Sequence, residues 1–263
     1  MPARPEEYWQ KILNGEDRGL KFFERFFGHL PAPPRCKLCH APFKGPYAPV
    51  LKVLGFRRWN LNRQICRNCV SSLPKHRGGA EIPVSLLYSD VRGSTTLAET
   101  MSPGTFSHTL DQFFSIVAAA VDSESGVIDH IVGDGVMAMW IPGFVGANHP
   151  HRAVAAGRKV AADLASRTGK PDGFPAGVGV HTGIAYVGVV GEGDSLDFSV
   201  IGDTANTVAR LGSSAAAGEL ILSEAIVGAA GVATDGLTHR VLDLKGKSEA
   251  FGVWVATTPT RSE

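Results

Sequence analysis

The sequence lacks any run of about 18 consecutive apolar residues, the length a helix needs to cross a bilayer. Its first stretch, MPARPEEYWQKILNGEDRG, carries charges where a secretory leader would carry an apolar core. Net charge is only +1, so no strong basic field argues for a nucleic-acid partner. Cysteine is scarce, four residues in 263. These absences read as a cytoplasmic protein with no membrane segment. In that reducing setting the four cysteines are not read as disulfides. Internal repeats and low-complexity tracts are also missing.

What is present is a hydrophobic share of 44%, enough for one large domain and a small one. Residues 1–30 place Trp9, Ile12, Leu13, Leu20, Phe22, Phe23, Phe26 and Phe27 loosely on a helical period. Leu30–Pro34, LPAPP, breaks it. All four cysteines fall in Arg35–Val70, and Ser71–Ala80 is rich in linker residues. The boundary is therefore set at 80/81: residues 1–80 are a helix, a cysteine module and a linker, and 81–263 are the main domain. In that domain IPVSLLYSDV reads as a buried strand and Pro103–Val121 as a helix. GVIDHIVGDGVMAMWI reads as two strands around a Gly-Asp-Gly turn. His149–Arg167 and Asp203–Ala216 are further helices, the second with Asp203 as its N-cap. PAGVGVHTGIAYVGVVG, DSLDFSVIG and the LDLKGKSEAFGVWVA tail supply strands. The order lacks the strict βα rhythm of a doubly wound sheet. It fits an α+β sandwich of helices on a mostly antiparallel sheet.

Cys36-Lys-Leu-Cys39 and Cys66-Arg-Asn-Cys69 are two C-x-x-C pairs. Each tight turn offers two thiolates, and two turns together make a tetrahedral S₄ site. The expected occupant is a structural Zn²⁺; an iron–sulfur cluster on the same thiolates is the less favoured reading. Cys36–His40 also spells C-x-x-C-H, the string of c-type haem attachment, but haem would leave Cys66 and Cys69 unused. His40 is read as a surface or supporting group.

In SLLYSDVRGSTTLAE an apolar strand ends on Asp90, and small polar residues follow at once. A second apolar strand pair carries Asp134 at its turn, in HIVGDGVMAMW. One carboxylate at a strand end is commonly a cap. Two, each beside glycine, suit a pair of Mg²⁺ or Mn²⁺ ions that share phosphate oxygens. The turn Gly93, Ser94, Thr95 can face N–H groups to a polyphosphate. His181, in GVHTG, is read as a packed strand residue.

Four segments together, SLLYSDVRGSTTLAE, GDGVMAMW, VGVHTGIAYVGVVG and DFSVIGDTANTVARL, resemble the class III adenylate/guanylate cyclase catalytic domain. The resemblance covers roughly residues 82–257 and implies a ferredoxin-like α+β fold. It implies a homodimer with composite sites, acting in signal transduction. Asp90 and Asp134 match the family's two metal-binding aspartates, with the Val91 carbonyl as an extra ligand. Asn206 matches the asparagine that orients the ribose. Arg210, four residues on and so on the same helical face, matches the arginine that stabilises the transition-state phosphate. One protomer would supply the aspartates and its partner Asn206 and Arg210. Of Lys245 and Lys247, Lys247 is taken as the phosphate-contacting lysine.

The base-selecting pair departs from the family's usual choices. Adenylate cyclases commonly have lysine where this chain has His130, and aspartate or threonine where it has Ser199. Guanylate cyclases commonly have glutamate and cysteine there. Histidine can donate to adenine N1 or accept from guanine, and serine can do either. Ser199 stands near the threonine variant, so the expected reaction is ATP to cyclic AMP and pyrophosphate. Guanylate cyclase is the alternative. A catalytically weak nucleotide sensor is a further reading, disfavoured because both aspartates and the Asn/Arg pair are present. A zinc-ribbon interaction module with a passenger domain is disfavoured on the same ground. A diguanylate cyclase is set aside because no GG[DE]EF string occurs.

Overall fold

A computed structural model of the chain describes residues 5–30, 34–59, 64–72, 78–167, 174–191, 197–244 and 250–257. The chain divides into two compact units. One takes Met1–Ile82, Ile141–Gly146 and Tyr186–Ile201; the other takes Pro83–Trp140, Ala147–Ala185 and Gly202–Glu263. In chain order the elements begin with helices α1 (Pro5–Leu13), α2 (Arg18–Gly28), α3 (Ala48–Val53) and α4 (Arg67–Ser72). Strand β1 (Gly79–Val91), α5 (Ser94–Thr100), α6 (Pro103–Ser123), β2 (Val127–Val132) and β3 (Gly135–Trp140) follow. Then come α7 (Pro142–Val145), α8 (His149–Ala165), β4 (Ala176–Val190) and β5 (Asp197–Ile201). The last are α9 (Asp203–Ser214), β6 (Glu219–Ser223), α10 (Glu224–Ala230), β7 (Thr238–Leu242) and β8 (Phe251–Thr257).

In the first unit the helical opening is two helices rather than one. Asp17 is the cause: its carboxylate accepts the Leu20 N–H at 2.8 Å and starts α2 afresh. Helix α1 buries Trp9, Ile12 and Leu13, and Trp9 stacks on Phe198 of β5 at 6.4 Å. Gly143 lets α7 lie against the end of α1, since a Cβ there would sit 2.6 Å from the Ile12 carbonyl.

The second unit is α+β, the class read from the sequence. Its strands run β2-β3-β1-β4-β6-β8-β7. The β1–β3, β2–β3, β6–β8 and β7–β8 pairings are antiparallel and β4–β6 is parallel. Strand alternation assigns the helices to faces. A Cβ on Gly157 of α8 would meet Val180 of β4, Leu220 of β6 and Leu87 of β1. A Cβ on Gly212 of α9 would meet Tyr88 of β1, and one on Gly179 of β4 would meet Gly212. Leu87 and Tyr88 are neighbours on β1, as Gly179 and Val180 are on β4, so α8 and α9 cover opposite faces. Glycines at 157, 179 and 212 permit that close approach. The sequence reading placed no elements at β6, α10 or β7.

Candidate active site and metal centre

Asp90 stands two residues after Tyr88 and shares its face of β1, the face α9 covers. It pairs in register with Gly135, the first residue of β3. Asp134 lies in the two-residue turn that joins β2 to β3, where Gly133 takes a φ of 60°. The turn therefore carries Asp134 back to the end of β1. The two carboxylates lie close enough to act on one another electrostatically. Burial pushes the Asp90 carboxyl above its ordinary range, and the charge of Asp134 adds to that. Arg92 opposes both. The same burial, helped by Asp90 and Asp134, raises the Tyr88 phenol. Val91 is buried as the last residue of β1. Crowded hard-oxygen ligands of one charge fit a divalent cation, whose charge offsets their repulsion.

Arg92 was not singled out by the sequence. Its guanidinium donates to Asp90 Oδ2 at 2.5 Å and to the Ser213 carbonyl, in the last turn of α9, at 2.5 Å. The Ser213 hydroxyl donates to the same Asp90 oxygen at 3.4 Å. Ser213 is 121 positions along the chain, so a linear pattern gives no sign of this contact.

Helix α9 presents Asn206 and Arg210 together. Thr204, Thr207, Val208 and Leu211 are buried on its other side, while Asn206 is exposed and Arg210 half-buried. The expected N-cap is shifted by one residue. Gly202 occupies the cap at φ 129° and Asp203 is the first helical residue, where its charge meets the positive end of the helix. Gly93 takes φ 66° ahead of α5, and Ser94 and Thr95 open that helix. His130 lies on β2 with Nδ1 2.6 Å from Asp129 Oδ2. Ser199 lies on β5 of the first unit, half-buried, opposite Gly188 of the same unit. Lys245 and Lys247 fall outside the described residues. His181 is buried, with Nδ1 2.8 Å from the Ser223 hydroxyl and its ring against Phe251.

The first unit holds the second candidate centre. The sulfurs of Cys36, Cys39, Cys66 and Cys69 all lie within 4.8 Å of one another, and all four residues are buried. Cys39 and Cys66 Sγ are 3.6 Å apart, Cys36 and Cys69 Sγ 3.9 Å. A tetrahedral ion with bonds of about 2.3 Å needs sulfurs about 3.8 Å apart. The Cys66 N–H donates to Cys36 Sγ at 3.2 Å and the Cys69 N–H to Cys66 Sγ at 3.4 Å. Burial alone would raise the Cys36 thiol; hydrogen bonds from Cys39, Cys66 and Cys69 overcome it and hold Cys36 well below the ordinary value. Cys39 and Cys69 are raised, first by their hydrogen bond to Cys36. Four thiolates so close ionise together only around a cation, so the donor set fits a metal. His40 lies outside the cluster at φ 61°, its Nε2 4.0 Å from Glu24.

Two neighbouring aspartates at one end of an α+β sheet are an arrangement suited to metal-assisted phosphoryl transfer. The comparisons with known proteins make it specific: residues 80–256 match the adenylate and guanylate cyclase catalytic domain, and the chain belongs to that family. It is 28% identical over 183 residues to an adenylate cyclase of Anabaena cylindrica, covering 65% of this chain and 36% of that protein. It is 31% identical over 133 residues to adenylate cyclase 1 of Rhizobium meliloti, covering 49% and 20%. The chain thus spans about a third or less of these relatives' length. Among solved structures, the guanylyl cyclase Cya2 is 26% identical with a TM-score of 0.58, over 70% of this chain and 96% of that one. The adenylyl cyclase CyaB from P. aeruginosa shares the fold at 24% identity and a TM-score of 0.60, over 69% and 96%. No helix among the described residues is long and apolar enough to cross a membrane.

Proposed function

We propose that the protein is a homodimeric adenylate cyclase. The ribose 3′-oxygen of ATP attacks the α-phosphorus, the bond to the bridging oxygen of the β-phosphate breaks, and cyclic AMP and pyrophosphate separate. The observation that carries this reading is the meeting of Asp90 and Asp134. Two Mg²⁺ or Mn²⁺ ions, when bound, lower the pKa of the attacking hydroxyl and take up leaving-group charge. Asp90, Asp134 and the Val91 carbonyl would hold them. Asn206 would orient the ribose, which matters in a reaction that depends on positioning. Arg210 would place a permanent planar cation on the phosphate as charge gathers there. Gly93, Ser94 and Thr95 would face the polyphosphate, with Lys247 as a further contact, and His130 and Ser199 would read the base. The adenylate cyclase names of two relatives support ATP.

In the dimer the Asn206/Arg210 pair of one protomer would complete the aspartates of the other. Ile131, Val132 and Ile184 are apolar and at least half exposed, surface of the kind a second protomer covers. The cysteine cluster would hold Zn²⁺. Sulfurs in near contact leave room for one ion, whereas a cluster places irons and sulfides between its thiolates. We assign 1–80 to this supporting module and 81–263 to the catalytic domain.

The test is turnover of the purified chain with ATP and, separately, GTP, in Mn²⁺ and in Mg²⁺, the product identified by mass. Cyclic AMP from the wild type, reduced about a thousandfold in Asp134→Ala, is expected. Cyclic GMP alone would keep the mechanism and reverse the substrate. A folded dimer that binds ATP and metal but makes neither product would overturn the enzyme reading.

A further inference from the structure

Asp129 and His130 are consecutive on β2, and consecutive side chains of a regular strand point to opposite faces. Here they meet, His130 Nδ1 lying 2.6 Å from Asp129 Oδ2. The strand register explains how. Ile128 pairs with Ala138 and His130 with Met137, so Asp129 is one residue more than the partner strand can match. Such a bulge re-aims side chains. The Asp129 carboxylate is left with no exposed surface, while the His130 side chain stays 37% exposed. A buried carboxylate is costly unless a hydrogen-bonding partner meets it, and the His130 imidazole is one such partner.

We propose that Asp129 is a positioning residue for base selection: it holds His130 by Nδ1–H, so that Nε2 is the ring atom presented to the purine. This rests on the reading of His130 as a base contact given above. An ionised carboxylate only accepts hydrogen bonds, so Nδ1 carries the proton. Adenine N1 offers a lone pair, so Nε2 must donate to it. The ring then carries two protons, and Asp129 is the counter-charge beside it. Together the two residues supply the fixed, charged donor that a lysine supplies alone. Without Asp129 the ring loses the acceptor that fixes its proton on Nδ1, and the distinction between adenine and guanine weakens. Asp129 acts through His130 and touches no substrate.

The first experiment is nitrogen NMR of the full-length chain labelled at histidine, with and without a non-hydrolysable ATP analogue. The His130 signals are those that His130→Lys removes. A proton on Nδ1 in both states, joined by one on Nε2 in the ATP-analogue complex, supports the proposal; a bare Nδ1 in either state, or a bare Nε2 in the complex, overturns it. This measurement needs no variant at the buried position. The second is the ratio of kcat/KM for ATP to that for GTP in Asp129→Asn and Asp129→Ala. The ratio should fall about tenfold in the alanine variant, mostly through KM for ATP, and less in asparagine, which keeps an acceptor. In a His130→Lys background Asp129→Asn should leave the ratio unchanged, because lysine needs no partner to fix its donor. His130→Ala separates the two levels of the argument. If it leaves the ratio unchanged, His130 does not read the base and the underlying assignment falls with the proposal. If it shifts the ratio while the Asp129 variants do not, positioning by Asp129 alone is overturned.

Discussion

The cysteine cluster and the aspartate pair solve the same physical problem in opposite ways. Cys36, Cys39, Cys66 and Cys69 come from 34 consecutive positions, are all buried, and lie at the sulfur spacing of one ion. The ligand set is complete within one unit, and the binding energy of an ion held there would be folding energy for that segment. Asp90 ends a strand and Asp134 sits in a turn; both stay half-buried, and burial, with the charge of Asp134 added, raises the Asp90 carboxyl. They do not complete a site. A finished metal centre stabilises structure, whereas one left short of ligands and crowded with charge is suited to substrate phosphates.

That difference predicts which damage is structural and which is chemical. The largest structural effect should follow Cys66→Ser. The loss is expected to reach several kcal/mol, seen as rapid proteolysis within residues 34–72 and release of bound zinc. Asp134→Ala, the corresponding lesion in the other centre, should keep the wild-type melting temperature while activity disappears. Equal thermal damage from both would break the comparison. Arg210→Ala should come next, lowering kcat about a hundredfold to a thousandfold with KM changed only a few-fold. A change confined to KM would instead make Arg210 a ground-state contact.

A smaller effect belongs to the scaffold. Gly212→Val drives a side chain into Tyr88 and should cost about 1–3 kcal/mol in denaturant unfolding. Because it displaces the helix that carries Asn206 and Arg210, activity should fall further than stability does. The smallest effect is on acid stability. Glu219 sits below the ordinary carboxylate value, first because Arg240 donates to it at 2.7 and 3.1 Å. A depressed carboxylate stabilises the fold above its unfolded pKa and loses that contribution as pH falls through its folded value. Glu219→Gln should therefore flatten the melting temperature against pH in the acid range and leave its slope near neutrality unchanged.

What the sequence revealed follows from the range of each interaction. Asp90 and Asp134 were legible because strand alternation and a Gly-Asp-Gly turn are local signals. Asn206 and Arg210 were read from the resemblance of DFSVIGDTANTVARL to the cyclase family, their i, i+4 spacing adding only that they share a helical face. The cysteines were legible because all four fell into two identical pairs. Arg92 was not, since its partner Ser213 lies 121 positions away. Asp129 was not, because the bulge that turns it toward His130 depends on strand β3, and a period-two pattern assumes no register slip. The elements β6 and α10 were passed over because ELIL and AIVGAA are apolar runs too short to show a period, parted only by Ser223 and Glu224. Ser223 makes the strand-to-helix change, its hydroxyl accepting the Ile226 N–H at 3.2 Å.

The most direct test of the account is complementation between two inactive chains. Asp134→Ala lacks one half of the proposed composite site and Arg210→Ala the other. Each is purified alone, assayed for cyclic AMP by mass, then mixed under conditions that exchange protomers. The account predicts little product from either alone and marked recovery on mixing, because a heterodimer rebuilds one intact site from the two unmutated halves. Heterodimers that form and still make no more cyclic AMP than the separate variants would contradict it.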